Sequence, residues 1–217
     1  MLFLIKKVTI NVNDNPIEVW LNNLVSKHKI TLRNKLEACI HSSQDLVNNL
    51  YHFPSQILCL CEVINFARSV ETNLDRSGGL VRLHETLTGE LRKCTKCILS
   101  CKDLDRLKLQ ALILDLIHNK DVIDYLIVQG VTIKSDWSWE SQLRFYSFGN
   151  QSCNARMGNV MLDYSFEYQG NDKKLVHTSL TDKCFLNLIH GMKFGFGGNP
   201  FGPAGMSMYT IESMNQH

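Results

Sequence analysis

The sequence predicts a mostly helical protein followed by a shorter region of strand, helix and glycine-rich character. Two observations support this prediction. Apolar residues recur at 3.6-residue spacing over most of residues 14–128, which is typical of amphipathic helices. Glycine is concentrated in the remainder, since eight of the 13 glycines follow residue 150, and no proline lies between Pro54 and Pro200.

Composition and charge exclude several classes of protein. The 217 residues are 44% hydrophobic and 20% charged, which is ordinary for a globular protein with a sizeable core. The net charge of +2 gives no electrostatic reason to expect a nucleic acid or an anionic membrane as a partner. No run approaches the ~18 apolar residues of a membrane-spanning helix, so no membrane insertion is expected. The apolar run at the N-terminus is short and is followed by lysines, whereas in a signal peptide the positive charges come first. We therefore expect an intracellular protein with reduced cysteines.

Three consecutive helices are predicted after Pro54, which suits the beginning of a helix. The first is expected to end at Gly78–Gly79, the second covers about 80–101, and the third covers about 104–125. Consecutive amphipathic helices with short breaks indicate a bundle or a solenoid. The predicted buried faces are, in turn, Ile57, Leu60, Cys61, Ile64, Ala67 and Leu74; Leu80, Leu83, Leu87, Leu91, Cys94, Ile98 and Cys101; and Leu104, Leu107, Ala111, Leu114, Ile117 and Tyr125.

The later part of the chain changes character. A strand is predicted at Phe145–Tyr146 and another over 161–168, where alternation places Leu162, Tyr164, Phe166 and Tyr168 on one face. A turn is predicted at Asn171–Asp172. A helix is predicted from Leu180 to Met192, beginning at Thr181–Asp182. Between the two regions, Trp137 and Trp139 are expected to pack together onto a core from a strand or loop.

Two groups of potential metal ligands, three cysteines and the histidines, each have a simpler structural interpretation. Cys94, Cys97 and Cys101 have the spacing of one helix face shared with leucines, so a core stripe is favoured over a zinc site. The eight histidines are scattered without paired spacing and are expected at the surface or at helix ends. No metal site and no catalytic residue is predicted.

The glycine-rich segment before the last residues resembles the start of a phosphate-binding loop. Such a loop reads Gly-x4-Gly-Lys-Ser/Thr, in which backbone amides cradle phosphates, the lysine neutralises them and the hydroxyl ligates Mg²⁺. Gly202-Pro203-Ala204-Gly205 begins this pattern. Ser207, Met208 and Tyr209 then stand at the positions of the second glycine, the lysine and the hydroxyl residue.

Several motifs in register resemble the dynein heavy chain family, most of all its cytoplasmic type 2 members, the motors of intraflagellar transport. The resemblance covers about residues 16–205. The motifs are Asp136-Trp-Ser-Trp-Glu-Ser-Gln-Leu-Arg-Phe-Tyr146, Phe166-Glu-Tyr-Gln-Gly-Asn171, Leu175-Val-His-Thr-Ser-Leu-Thr-Asp-Lys-Cys184 and Gly197-Gly-Asn-Pro-Phe-Gly-Pro-Ala-Gly205, with Tyr51–Ile57 and Leu109–His118 in the helical part.

The resemblance implies a domain organisation. Residues 1–145 would be the C-terminal part of the helical linker of dynein, and residues 146–205 its connection to the ring and the start of the first AAA+ module. Residues 206–217 form a divergent tail. The implied fold is a mostly α helical linker bundle followed by a short, incomplete α/β AAA+ segment.

The resemblance also implies a function, an ATP-driven, minus-end-directed microtubule motor. The cofactors that the resemblance implies are ATP and Mg. The implied partners are microtubules and the intermediate, light intermediate and light chains of dynein. The implied locations are the cytoplasm, the cytoskeleton and the cilium. Leu175, Val176 and Thr178 match the loop that lines the adenine pocket, and Gly202, Pro203, Ala204 and Gly205 match the start of the Walker A loop.

Departures from the family bear on activity. The family usually continues with Thr-Gly-Lys-Thr-Glu, whereas this chain reads Met206-Ser-Met-Tyr-Thr210, and Ser179 replaces the usual proline. The chain alone is therefore expected to need no cofactor and to lack ATPase activity. The alternative is a stand-alone helical protein that binds other dynein subunits.

Overall fold

The computed structural model describes residues 16–42, 45–148, 152–168 and 174–198. These ranges contain seven helices and three strands, and 65% of the described residues are helical, which confirms the mostly helical prediction. The helices are α1 (Ile17–Ile40), α2 (Leu46–Asn49), α3 (Ser55–Leu74), α4 (Gly79–Cys97), α5 (Asp103–Val128), α6 (Trp137–Glu140) and α7 (Ser179–Lys193), and the strands are β1 (Arg144–Ser147), β2 (Cys153–Met157) and β3 (Val160–Asp163).

Helix α3 lies at the centre of the helical part and contacts α1, α4, α5 and β1. It buries apolar residues on more than one side, so that Ile57, Ile64 and Val70 are almost fully enclosed. The helix ends at Leu74, before the glycines predicted to end it. Gly78–Gly79 instead begins α4, because Gly78 adopts φ +66 at the N-cap, a conformation that glycine reaches without steric cost.

Helix α5 is buried on a different face from the one predicted. Leu109, Leu112, Leu116, Ile123 and Leu126 are at most 1% exposed. The predicted face, which includes Leu104, Leu107, Ile117 and Tyr125, is instead largely exposed, and that prediction is wrong. The reason is that α5 carries apolar residues on both sides, so the spacing of its apolar residues does not determine which face is buried. Despite this composition, none of the described helices is long and apolar enough to cross a membrane.

The three strands form one antiparallel sheet in the order β1-β2-β3. Strand β2 was not predicted, and a two-residue turn with Gly158 at φ +58 joins it to β3. The strand predicted over 161–168 ends at Asp163. Phe166 beyond it is buried, but Tyr168 is exposed, so the predicted alternation fails there. The turn predicted at Asn171–Asp172 lies outside the described residues.

The sheet shares its core with the helices. Trp139, Cys153 and Phe166 belong to the same buried cluster as the apolar residues of α1, α3, α4 and α5. The Trp139 ring meets the Phe66 ring edge-on, with centroids 6.2 Å apart. Trp137 is 59% exposed and both indoles lie on α6, so the predicted pair of buried indoles on a strand or loop is wrong.

Helix α7 packs against β3 through a second, smaller cluster. Met157, Val160 and Ile189 are its buried members. The helix begins at Ser179, one residue before the predicted Leu180, because Thr178 provides the N-cap. The end of the sheet and α7 are thus connected to the helical core by way of β1 and β2.

The cysteine stripe of α4 is shorter than predicted. Cys94 is fully buried in the main core and Cys97 is half-buried at the end of the helix. Cys101 lies after α4, in the connection to α5, so the three thiols do not share one helix. The core position of Cys94 is in keeping with the use of cysteine as a small apolar residue.

Candidate functional site

The residues predicted to line the adenine pocket lie in the segment 174–178, directly before α7. Leu175 is half-buried and Val176 is 55% exposed, so both leave apolar surface at this position. Thr178 has a structural role, since its hydroxyl accepts a hydrogen bond from the Thr181 amide at 3.2 Å. The Thr178 amide in turn donates to the Thr181 hydroxyl at 2.7 Å, which completes a capping box. Gly202, Pro203, Ala204 and Gly205 lie outside the described residues.

A buried ion pair attaches this segment to the helical core. The Lys174 ammonium donates a hydrogen bond to the Asp115 carboxylate of α5, and the Asp115 side chain is only 3% exposed. Cys59 of α3 lies beside both groups, and burial raises the pKa of its thiol to about 12. Since the thiol is neutral at pH 7, Asp115 supplies the charge that neutralises Lys174.

Two histidines stack across the same contact. The His118 ring of α5 and the His177 ring lie with centroids 4.4 Å apart and planes 26° apart. Phe185 of α7 stacks on His177, with centroids 6.0 Å apart. The His177 Nδ1 atom lies 3.6 Å from an Asp182 carboxylate oxygen. Burial, followed by the neighbouring His177, lowers the pKa of His118, so this ring is neutral at pH 7.

These histidines were missed in the sequence because neither has a partner at helical spacing. His118 lies on α5 and His177 precedes α7, and the tertiary fold alone brings them together. The expectation that the histidines lie at the surface or at helix ends is wrong for His118, which is partly buried in the interior of α5. His177 does lie at a helix end, directly before the N-cap of α7.

Glu62 of α3 adds a second acidic group on the helical side. Its side chain is buried, and burial, with smaller contributions from Asp115 and Glu90, raises the pKa of its carboxyl to about 7. Glu62 is therefore partly protonated near neutral pH, whereas the Asp115 carboxylate is neutralised by an ion pair. Asp115 is therefore the carboxylate of the helical core that pairs with Lys174, and the raised pKa of Glu62 results from its burial beside other acidic groups.

The described part of the site suits one portion of a nucleotide. The apolar side chains of Leu175 and Val176 could contact a flat base. Lys174 is not available as a cation for phosphate, because its ammonium is held by Asp115. The residues described here therefore supply a partly apolar segment, 174–178, that is fixed to α5 by Lys174.

The comparison with protein families gives a match at the same place. The family described as the hydrolytic ATP binding site of the dynein motor region matches residues 164–211. The matched range includes Phe166, the segment 174–178 and α7, and it ends beyond Gly205.

Individual relatives match most of the chain. The cytoplasmic dynein 2 heavy chain 1 of Homo sapiens is 44% identical over 201 residues, which are 88% of this chain and 5% of that protein. Its counterpart in Caenorhabditis elegans is 41% identical over 189 residues, 87% of this chain and 4% of that protein. The cytoplasmic dynein heavy chain of Caenorhabditis elegans is 30% identical over 212 residues, 90% of this chain and 5% of that protein. The chain thus spans about one-twentieth of the length of these relatives, and it is a homologue of dynein heavy chains, including the cytoplasmic dynein 2 heavy chain.

Proposed function

We propose that this chain forms the junction between the linker and the first AAA+ module of a dynein heavy chain, an ATP-driven, minus-end-directed microtubule motor. Residues 1–145 act as the C-terminal part of the linker, residues 146–205 as its connection and the start of the module, and residues 206–217 as a divergent tail. The observation that supports this proposal is the buried ion pair between Asp115 and Lys174. It joins the longest described helix to the segment that the dynein ATP-site family matches.

The geometry gives the junction a mechanical role. Helices α1, α3, α4 and α5 share one core with β1 and β2, so they move as one body. The segment 174–178 is held to that body by Asp115 and His118. ATP supplies the energy for movement in the whole motor. In this proposal the segment 174–178 contacts the nucleotide base, and a displacement of this base-contacting segment reaches α5 through the contacts with Asp115 and His118.

The cellular role follows from the relatives. Several matching proteins are cytoplasmic dynein 2 heavy chains, so the proposed setting is intraflagellar transport in the cilium. The proposed partners of the whole motor are microtubules and the intermediate, light intermediate and light chains of dynein.

We further propose that the chain alone does not hydrolyse ATP. A charge-assisted hydrogen bond contributes about 1.5–3 kcal/mol. Met208 and Tyr209 stand where the phosphate lysine and the magnesium-binding hydroxyl residue are needed, and Met208 provides no such bond.

Calorimetry with MgATP tests the nucleotide site. The isolated chain is expected to show no saturable binding at tens of micromolar nucleotide. A variant with Met206→Thr, Ser207→Gly, Met208→Lys and Tyr209→Thr is expected to bind at least tenfold more tightly than a control with Met206→Thr and Ser207→Gly alone. Saturable binding by the unmodified chain would contradict the proposed inactivity. Equal affinity of the two variants would contradict the assignment of Gly202–Gly205 to a phosphate loop.

A second candidate function is that of a stand-alone helical protein that binds other dynein subunits. It is favoured by α1, where Ile17, Leu21 and Leu24 are exposed at helical spacing on one face. Under this alternative, Leu21→Asp abolishes binding to a purified dynein intermediate chain in a sedimentation assay without nucleotide. Asn22→Asp places the same charge on an exposed polar position and serves as the control. Absence of binding by the unmodified chain would contradict this alternative.

A further inference from the structure

We propose that His118, His177 and Asp182 form a binding site for a divalent transition-metal ion, for which Zn²⁺ is the best-suited candidate. One ligand atom from each of the three side chains lies within 4.8 Å of the others. The site is made by residues of α5, of the segment before α7 and of the first turn of α7. None of its residues belongs to the Gly202–Gly205 sequence, and the proposal does not rest on the proposed nucleotide binding.

One of the three separations is close to that of a tetrahedral zinc site. Zinc binds imidazole nitrogen and carboxylate oxygen at about 2.0–2.2 Å, which places neighbouring ligand atoms about 3.3–3.5 Å apart. The His177 Nδ1 atom and the Asp182 oxygen are already 3.6 Å apart. Because a metal ion lies in the plane of each imidazole that binds it, the His118 ring would turn out of its stack on His177 when the ion binds.

The ligands are held in place by the surrounding fold. His177 lies between the rings of His118 and Phe185, which restricts its rotation. Asp182 is positioned by the capping box of Thr178 and Thr181 at the start of α7. Pre-positioned ligands reduce the entropy that is lost when an ion binds.

The His177 ring also has an unsatisfied atom. Its Nδ1 is buried and has no hydrogen-bond partner among the described residues. A buried polar atom that is left unsatisfied destabilises the folded state. A metal ion bound to this nitrogen would remove this destabilisation, so the unsatisfied atom is a second observation that points to a ligand.

The donor set selects the class of metal. Two imidazoles and one carboxylate suit Zn²⁺ and related transition metals, whereas Mg²⁺ and Ca²⁺ prefer oxygen ligands throughout. Three protein ligands leave the fourth position to water. The N-terminus of α7 carries a partial positive charge that disfavours a cation, and the Asp182 carboxylate offsets this repulsion.

The bound ion would connect α5 to α7 independently of Lys174. Because it would bind the folded form through residues from separate elements, the ion is expected to raise the thermal stability of the chain. Such a site would fix the base-contacting segment more firmly to the helical core.

The test is a titration of the metal-free full chain with Zn²⁺ by calorimetry and with Co²⁺ by absorption spectroscopy, both without nucleotide. We expect one ion per chain, with cobalt bands of nitrogen and oxygen ligands and without a strong thiolate band. His118→Ala and Asp182→Asn are each expected to weaken binding at least tenfold. His84→Ala is the matched control, because His84 lies 3.2 Å from the Asp124 carboxylate but belongs to no group of three ligands among the described residues.

Three results would overturn the proposal: no stoichiometric binding, a thiolate band that assigns the ion to cysteines, or binding that Asp182→Asn leaves unchanged. Asp182→Asn keeps the shape of the side chain, so it decides the matter even if His118→Ala disturbs folding. Circular dichroism of each variant verifies that its helix content is retained.

Discussion

The Asp115 carboxylate in the middle of α5 is paired with the Lys174 ammonium of the segment before α7, and the Asp115 side chain is almost completely buried. A buried ion pair of this kind adds little stability compared with apolar residues of the same size, but removal of one partner leaves the other buried and unpaired. The pair therefore specifies where the segment attaches to the helical core. It positions Leu175 and Val176 next to a rigid element.

Glu62 is expected to make the stability of the protein depend on pH. Burial raises the pKa of its carboxyl from 4.5 to about 7, so between these values the folded state holds a proton that the unfolded state has lost. The free energy of unfolding therefore falls as pH rises from 4.5 to 7. Glu62→Gln removes this effect, and its stability relative to the unmodified chain should rise by about 3 kcal/mol between pH 4.5 and pH 8.

Urea unfolding at the two pH values measures this change. Glu85→Gln is the control, because Glu85 lies on the exposed side of α4. The same pH dependence in the unmodified chain and in Glu62→Gln would show that Glu62 is not protonated in the folded protein.

Trp139 is expected to be the indole that stabilises the fold. Its ring is fully buried between Phe66 and the Arg144 guanidinium, which lies 5.7 Å from the ring centroid. Trp139→Ala should lower the free energy of unfolding by about 3–5 kcal/mol, as for other buried aromatic residues. Trp137→Ala should change it by less than about 0.5 kcal/mol, because that indole is exposed. Chemical denaturation of both variants measures the difference, and equal losses would contradict the assigned core.

Thr178 is expected to stabilise the first turn of α7. Thr178→Ala removes the hydroxyl that accepts from the Thr181 amide, and loss of such a cap costs about 1 kcal/mol. Hydrogen exchange of the Thr181 amide should become severalfold faster. Thr178→Ser keeps the hydroxyl and should preserve most of the protection. If Thr178→Ala and Thr178→Ser exchange alike, the cap does not control this turn.

The helices could be predicted from the sequence because their apolar spacing is local. The buried face of α5 could not, since Leu107 and Leu109 belong to opposite sides of a helix that is apolar on both. Which of the two sides is buried depends on the contacts of α5 with α3 and α4, and these contacts cannot be inferred from the spacing of apolar residues. The same limit applies to Trp137 and Trp139, because the two are the same residue type and only the tertiary structure makes one buried and the other exposed.

Strand β2 could have been predicted from the turn that follows it, although not from its own residues. Its residues, Cys153–Met157, lack the β-branched and aromatic alternation of a strand, and pairing on both sides holds them in the sheet. Gly158 and the asparagine after it form a dipeptide typical of a two-residue hairpin, which could have indicated β2 and β3 together. No such local signal exists for Asp115–Lys174 or His118–His177, whose partners lie on distant elements.

Hydrogen exchange with a double-mutant cycle tests most directly the claim that Asp115 and Lys174 hold the segment 174–178 to the helical core. In Asp115→Asn, the Lys174 side chain, of which 25% is exposed, loses its counter-ion and becomes fully hydrated only if the segment detaches. The α7 amides should therefore exchange at least tenfold faster, about 1.4 kcal/mol, while α3 and α4 change little. Adding Lys174→Met should restore much of the protection, because no unpaired charge remains. Asp124→Asn, which removes an exposed partner of Lys120, is the control and should leave α7 unchanged. Unchanged α7 exchange in Asp115→Asn, or an equal increase in α3 and α7, would contradict the account.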